Sequence, residues 1–285
     1  MPEGDSVARV ARSLNSALAG RRLARGRLQV PAHATADLSG WTVVTTATRG
    51  KHLLTRLLPA EGAGHEPLTL HTHLRMDGSW TVLGPGKRLP ARLTPDVRAL
   101  LTTADGPAAG STALALRMPV VELLPTAREG DVVGHLGPDL LDPAFDAAEA
   151  VRRLGADPAR PLAAALLDQR AVAGLGNLWA NELCFLLGRS PWTPVGEVDL
   201  PAAVALARRA LRFSASSPTG HQVTTGDTRR GQQHWVSGRA GEPCRRCGTT
   251  IRVVAEVPGD PERRRTWWCP HCEPGPGPGP ERTAG

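Results

Sequence analysis

A proline in second position, a glutamate directly after it and two cysteine pairs near the other end are the residues of this chain whose types and spacing could do chemistry. Pro2 follows the initiator Met1, and a small second residue normally leads to removal of that methionine, leaving a secondary amine. An α-amino group titrates near pH ~8, so at neutral pH an appreciable fraction is neutral and nucleophilic, unlike a lysine. Residues 5–19 place Val7, Val10, Ala11, Leu14 and Leu18 at helical spacing, with Asp5 or Ser6 able to cap the start. The positive end of that helix lowers the titration of an amine placed before it. Glu3 is then a candidate acid or base, although the same dipole favours its anion and a general acid must be protonated. Read alone, an MPEG start is also an ordinary one.

Lys51 is a second candidate. The chain has 34 basic residues, and only Lys51 and Lys87 are lysines. Arginine holds its proton too tightly to exchange it, whereas lysine can. A lone lysine arises by chance as well, and that is the better account of Lys87.

Cys244-x2-Cys247 and Cys269-x2-Cys272 flank two strand-like runs, IRVVAEV and RRTWWC. Two such knuckles can place four thiolates at the corners of a tetrahedron around one structural zinc ion, with no position left open for catalysis. His271, inside the second knuckle, is a less favoured replacement for one of them. In a reducing compartment this spacing reads as metal rather than disulfide. The module carries Arg245, Arg246, Arg252, Arg263, Arg264 and Arg265, which suits phosphate contact or entry into a groove, or else a plain solvated surface.

Between these ends, LLDQRAVAGLGNLWANELCF contains two apolar helical faces joined by a Gly174-x-Gly176-Asn177 turn. Amides at the start of the second helix would make a phosphate site, although Asn177 could equally serve only as a cap. Short runs rich in β-branched residues, WTVVTTAT, KHLLTRLL, PLTLHTHL, SWTVL and PVVELL, fill residues 41–124 and predict an all-β domain, a sandwich. Ala/Leu-rich segments at 143–154, 161–169, 177–187 and 199–215 predict a helical domain. PGPGPGP at 274–280 can form neither helix nor ladder.

The formal charge of +7 and a pI near 10.0 make a polyanionic partner the natural expectation. No run of 18 apolar residues and no secretory signal is present, so neither a membrane span nor export is expected, and the location reads as cytoplasmic.

The order of these motifs, MPEGD, RGKHLL at 49–54, HTHLRMDGSW at 71–80, LLDQRAVAGLGNLWANE at 166–182 and RRTWWCPHC in the four-cysteine finger, resembles the formamidopyrimidine-DNA glycosylase and endonuclease VIII family. Among its branches the chain looks closest to actinobacterial endonuclease VIII. The resemblance implies an α+β multidomain protein: an N-terminal β-sandwich with its leading helix over 1–128, a helix-two-turn-helix domain over 129–230, a zinc finger over 231–273 and a disordered tail over 274–285. DNA would lie in the cleft between the first two domains. It implies Pro2 as nucleophile, Glu3 as acid/base and Lys51 as the lysine that contacts DNA and assists catalysis. Asn177 would bind phosphate near the lesion, Arg264, five residues before Cys269, would be the DNA-binding arginine of the zinc finger, Met76 would fill the gap left by an everted base, and Cys244, Cys247, Cys269 and Cys272 would hold zinc.

The implied activity is removal of oxidised pyrimidines from double-stranded DNA followed by strand cleavage, by a monomer without a nucleotide cofactor. Oxidised purines such as 8-oxoguanine, or DNA binding without catalysis, are the alternatives. One departure stands close to the chemistry: the family usually has glutamate where this chain has Ser6.

Overall fold

A computed structural model describes residues 2–60, 62, 64–217, 220–255 and 264–278. The chain divides into two compact units, one of Met1–Pro2 and Ser6–His135, the other of Glu3–Asp5 and Leu136–Gly285.

Helix α1 (Gly4–Leu18) belongs to the first unit from Ser6 onward, and its Val7, Ala11, Leu14, Ala17 and Leu18 form a buried stripe, as their spacing predicts. Eight strands follow: β1 (Arg21–Leu28), β2 (Thr42–Arg49), β3 (His52–Leu58), β4 (Leu68–His73), β5 (Ser79–Leu83), β6 (Val97–Thr103), β7 (Thr112–Leu116) and β8 (Val120–Pro125). Their order is β5-β7-β6-β1-β2-β3-β4-β8, and every pairing is antiparallel.

Strand β1 pairs with β2 through Arg21 and Arg22, then with β6 from Leu23 onward, so it passes from one leaf to the other. One cluster joins Val43, Leu53, Leu57 and Leu70 of the β2-β3-β4-β8 leaf to Leu23, Ala99, Leu101 and Ala113 of the other, which is the sandwich the alternating runs predicted. A short helix α2 (Glu129–Val133) closes this unit. There the carboxylate of Glu129 takes two hydrogen bonds from Arg56, at 2.8 and 2.7 Å, and one from Thr69 at 2.7 Å.

Three strands fall outside the predicted runs. β1, RRLARGRL, lies ahead of residue 41, and its arginines hide the alternation that buries Leu23 and Leu28. β6 and β7 are short and flanked by polar turns.

The second unit holds helices α3 (Ala147–Leu154), α4 (Leu162–Leu167), α5 (Asn177–Leu187) and α6 (Leu200–Ser216), each within a segment the composition marked as helical or a residue beyond it. Their core gathers Leu140, Leu162, Leu175, Trp179, Leu183 and Leu211. Strands β9 (Arg252–Val254) and β10 (Thr266–Trp268) form the hairpin between the cysteine pairs.

The cysteine module packs as part of this unit. Phe185 of α5 stacks on Trp235 at 5.2 Å, Trp192 meets Trp268 edge-on at 4.8 Å, and the Trp267 amide donates to Asn181 of α5 at 2.8 Å. The stretch expected to be structureless from 274 keeps contacts at its start, because Ser190 donates to the carbonyls of Pro274 and Pro276. Proline leaves its own carbonyl free to accept, which a ladder does not require. Residues 279–285 of that stretch lie outside the described residues. Among the described residues, no helix is long and apolar enough to cross a membrane.

Candidate functional site

In the second unit the amino terminus meets the turn that the sequence marked for phosphate. Glu3 is 1% exposed, and its carboxylate accepts the amides of Gly176 at 2.7 Å, Leu178 at 2.8 Å and Trp179 at 3.3 Å. The Gly4 amide donates to the Gly174 carbonyl at 2.8 Å. The start of α5 is therefore capped by a carboxylate 173 positions away, and those amides are not a free anion site. This corrects the reading of the turn, and its cause is simple: the orphan amides and the helix dipole attract whichever anion the fold brings.

Gly176 is required by this contact. A Cβ there would stand 2.4 Å from Glu3 Cδ and 2.6 Å from Oε1. Charged acceptors make the stronger hydrogen bonds to amides, so the arrangement favours Glu3 as an anion. Pro2, half-buried, directly precedes this fixed residue; Met1 lies outside the described residues.

Asp5 does not cap α1, as the sequence suggested, because the helix already begins at Gly4. Its fully buried carboxylate accepts from Ser214 Oγ of α6 at 2.5 Å and from Gln222 Nε2 at 2.9 Å. Gln222 sits in the segment after α6, residues 217–232, of which 218–219 lie outside the described residues. The far end of that stretch is held by the buried Glu182 of α5. Glu182 accepts from Thr224 Oγ1 and from the amides of Trp235, Val236 and Ser237, the last three at 2.8–2.9 Å. Sequence reasoning missed Glu182, and nothing local signals it.

Asn177, first residue of α5, donates from its side chain to the Arg265 carbonyl at 2.9 Å. It is thus joined to the segment that carries Arg264, which is half-buried. Two of the finger's other arginines serve the fold. Arg246 lies 4.3 Å over the Phe185 ring, and Arg245 donates to the His234 carbonyl at 3.1 Å and to Gln232 and Gly231. Arg263 lies outside the described residues.

The four sulfurs of Cys244, Cys247, Cys269 and Cys272 all lie within 4.8 Å of one another. Cys244 and Cys272 are 3.9 Å apart and Cys247 and Cys269 3.5 Å, close to the ~3.8 Å edge of a tetrahedron with Zn–S of about 2.3 Å. Hydrogen bonds from Thr249 lower the Cys247 thiol to about 6, while burial pushes Cys269 up to about 11. Sulfurs this close cannot all ionise without a cation among them. The residues fit a closed metal site, and His271 is not needed.

In the first unit, Gly50 and Lys51 form the two-residue turn between β2 and β3, with Gly50 at φ +59°. Register pairs His52 with His73, so this turn and the β4–β5 turn share one end of the sheet. Met76 is 66% exposed in the β4–β5 turn, closed by the Gly78 amide on the Leu74 carbonyl at 2.8 Å. A methionine so exposed has no part in the core. Beside Lys51 lies a group of imidazoles, His52, His71, His73 and His135, that sequence reasoning did not single out.

Comparison with known proteins agrees with this layout. Residues 1–114 match the model of the formamidopyrimidine-DNA glycosylase N-terminal domain, and residues 136–213 that of the formamidopyrimidine-DNA glycosylase H2TH domain. The chain is 50% identical to the probable endonuclease 8 2 of Streptomyces coelicolor, over 98% of this chain and 96% of that protein. It is 44% identical to the DNA-(apurinic or apyrimidinic site) lyase Nei2 of Mycolicibacterium smegmatis, over 96% and 99%. Among solved structures, Lactococcus lactis formamidopyrimidine-DNA glycosylase bound non-covalently to DNA containing an abasic site aligns with a TM-score of 0.73 at 22% identity. That alignment covers 96% of this chain and all of the other, and it bears on the fold.

Proposed function

The chain belongs to the formamidopyrimidine-DNA glycosylase and endonuclease VIII family, and from that premise we propose that it excises oxidised pyrimidines from duplex DNA and then cleaves the strand with Pro2 as nucleophile. The observation that carries this reading is the Glu3 carboxylate, buried and held by three amides one residue after Pro2.

DNA is held first through its phosphates, by Lys51, Asn177 and Arg264 among others, so affinity falls steeply as salt rises. The damaged nucleotide leaves the stack, which costs least where pairing is already weakened, and the exposed Met76 fills the gap. The Pro2 nitrogen, freed by loss of Met1, bonds to the sugar C1′ as the bond to the base breaks. The proton that this nitrogen sheds passes to the anionic Glu3, which hands it to the ring oxygen as the sugar opens to an iminium. The iminium acidifies the C2′ hydrogen. Loss of that proton expels the 3′ phosphate, and a second elimination expels the 5′ phosphate, leaving a one-nucleotide gap with phosphate on both sides.

Zinc, held by Cys244, Cys247, Cys269 and Cys272, supplies a structural staple when bound. The residues around it then fix the start of β10 and, through the Arg265 carbonyl, the side chain of Asn177.

A panel of duplexes tests the substrate class, each with one lesion: an oxidised pyrimidine, 8-oxoguanine, an abasic site, or none. The expected order is abasic site and oxidised pyrimidine cut readily, 8-oxoguanine poorly. Preferential cutting of 8-oxoguanine replaces the pyrimidine reading with the purine one, and binding without any cutting replaces both with a silent DNA-binding protein.

A further inference from the structure

A chain of hydrogen bonds runs across three neighbouring strands behind Lys51. Glu122 of β8 faces His71 of β4 in register, and its Oε2 lies 2.8 Å from His71 Nδ1. His71 Nε2 lies 2.8 Å from His52 Nδ1 on β3, and the two rings stack at 5.0 Å. His52 meets His73 edge-on at 4.7 Å, and His73 Nδ1 accepts the Arg75 amide at 3.1 Å.

With His71 neutral, the donors fix every proton in this chain. A carboxylate only accepts, so His71 carries hydrogen on Nδ1 and offers the Nε2 lone pair. His52 must then carry its hydrogen on Nδ1. His73, accepting at Nδ1, carries its own on Nε2. A proton added to His73 Nδ1 would cost the bond from Arg75, and one added to His71 Nε2 would oblige His52 to move its hydrogen to Nε2 or lose their shared bond. His71 is 3% exposed, so that loss would occur away from water.

We propose that Glu122 and His71 are positioning residues that lock His52 as a neutral Nδ1–H ring and, through it, hold the β3–β4 end that carries Lys51. The deduction about DNA rests on the reading of Lys51 as a DNA contact; the tautomer chain itself does not. Charged groups around His52 are the cations Lys51, Arg75 and, across the β2–β3 register, Arg49, and the anion Glu122 at the far end, with His71, His73 and His135 as the neighbouring rings. Burial first, then those rings and Arg75, bring His52 down to about 3, and burial, Arg75 and Lys51 bring His73 to about 4. Both imidazoles therefore remain neutral throughout the range in which histidines usually titrate. The positive charge at this edge, from Lys51, Arg75 and the Arg49 that pairs with His52 in register, thus does not depend on these two imidazoles.

Glu122 is half exposed, so substitutions there spare the core. Glu122→Gln keeps an acceptor for His71 Nδ1–H, whereas Glu122→Ala removes it. Nitrogen-15 NMR of the histidines in the DNA-free protein at pH 7 should find His52 as the Nδ1–H tautomer in wild type and in Glu122→Gln, and a mixture with Nε2–H in Glu122→Ala. Cleavage of an abasic-site duplex should show KM raised three- to tenfold in Glu122→Ala with kcat within twofold, and near wild-type values in Glu122→Gln.

A protonated or Nε2–H His52 in wild type overturns the proposal. So do equal KM values in wild type and Glu122→Ala, or an alanine-like Glu122→Gln. If the wild-type protein shows the expected tautomers but cuts no duplex, the functional reading of Lys51 fails and the locked chain stands.

Discussion

The carboxylate of Glu3 and the amide of Gly176, 173 positions apart, lie 2.7 Å from each other, and this contact places the start of the chain on the start of α5. The buried carboxylate caps a helix, and in the proposed mechanism it also moves a proton; substitution can separate the two.

Gly176→Ala tests the contact from the helix side. The added methyl would fall 2.4 Å from Glu3 Cδ, so the carboxylate must move while every charge in the protein stays the same. Strand cleavage should fall at least 100-fold, with a stability loss of about 1–3 kcal/mol. Unfolding curves and single-turnover cleavage measure the two separately, and full activity in the variant would show that Glu3 need not sit there.

Glu3→Gln keeps an oxygen for the amides but cannot accept a proton. It should cost about 1 kcal/mol or less in stability, as for a weakened cap, and should still abolish most strand cleavage. Glu3→Ala should lose both, with about 1–3 kcal/mol from unsatisfied amides. If Glu3→Ala unfolds like wild type, the cap is energetically idle.

The Arg56–Glu129 pair predicts a pH dependence in the first unit. Hydrogen bonds from Arg56 hold the Glu129 carboxyl below its usual value. A group with a depressed folded value stabilises above its unfolded pKa and loses that contribution as pH falls through the folded one. The difference in melting temperature between wild type and Glu129→Gln should therefore be full at pH 7, begin to shrink below about pH 4.3, and vanish in stronger acid. A difference that grows on acidification would contradict the pairing.

Removing zinc should act on the second unit. Chelation, or Cys247→Ser, should release one equivalent of metal, weaken DNA binding at least tenfold and loosen Trp235, Trp267 and Trp268 as read by fluorescence, while the β-sandwich keeps its strand signal. Because bound thiolates must shed protons, metal affinity should also fall as pH is lowered. A metal-free protein with unchanged DNA affinity would detach the finger from binding.

Much of this architecture was legible in the sequence. α1 and α5 follow from apolar spacing, β3 and β4 from short β-like runs bounded by Gly and Pro, and the cysteine cluster from two knuckles and a hairpin. β1 was hidden because its outward face is arginine, and a run such as RRLARGRL reads as a charged loop until its partners are known. The reading of the α5 turn's amides as a free phosphate site failed for a related reason: a helix terminus announces its need for an anion but not which one, and Glu3 is remote in sequence. Glu182 and the chain Glu122–His71–His52 were invisible because each member is ordinary in its own segment. Only strand register and loop return bring them together. Asp5 shows the same limit, being read as a cap when it holds Ser214 and Gln222.

The account stands or falls on Pro2. Borohydride reduction during incubation with an abasic-site duplex, followed by digestion and mass spectrometry of the trapped protein, tests it directly. The predicted result is one covalent adduct, on the nitrogen of Pro2 in chains that have lost Met1. An adduct on Lys51 or another amine, or cleavage with no trapped species, would contradict it.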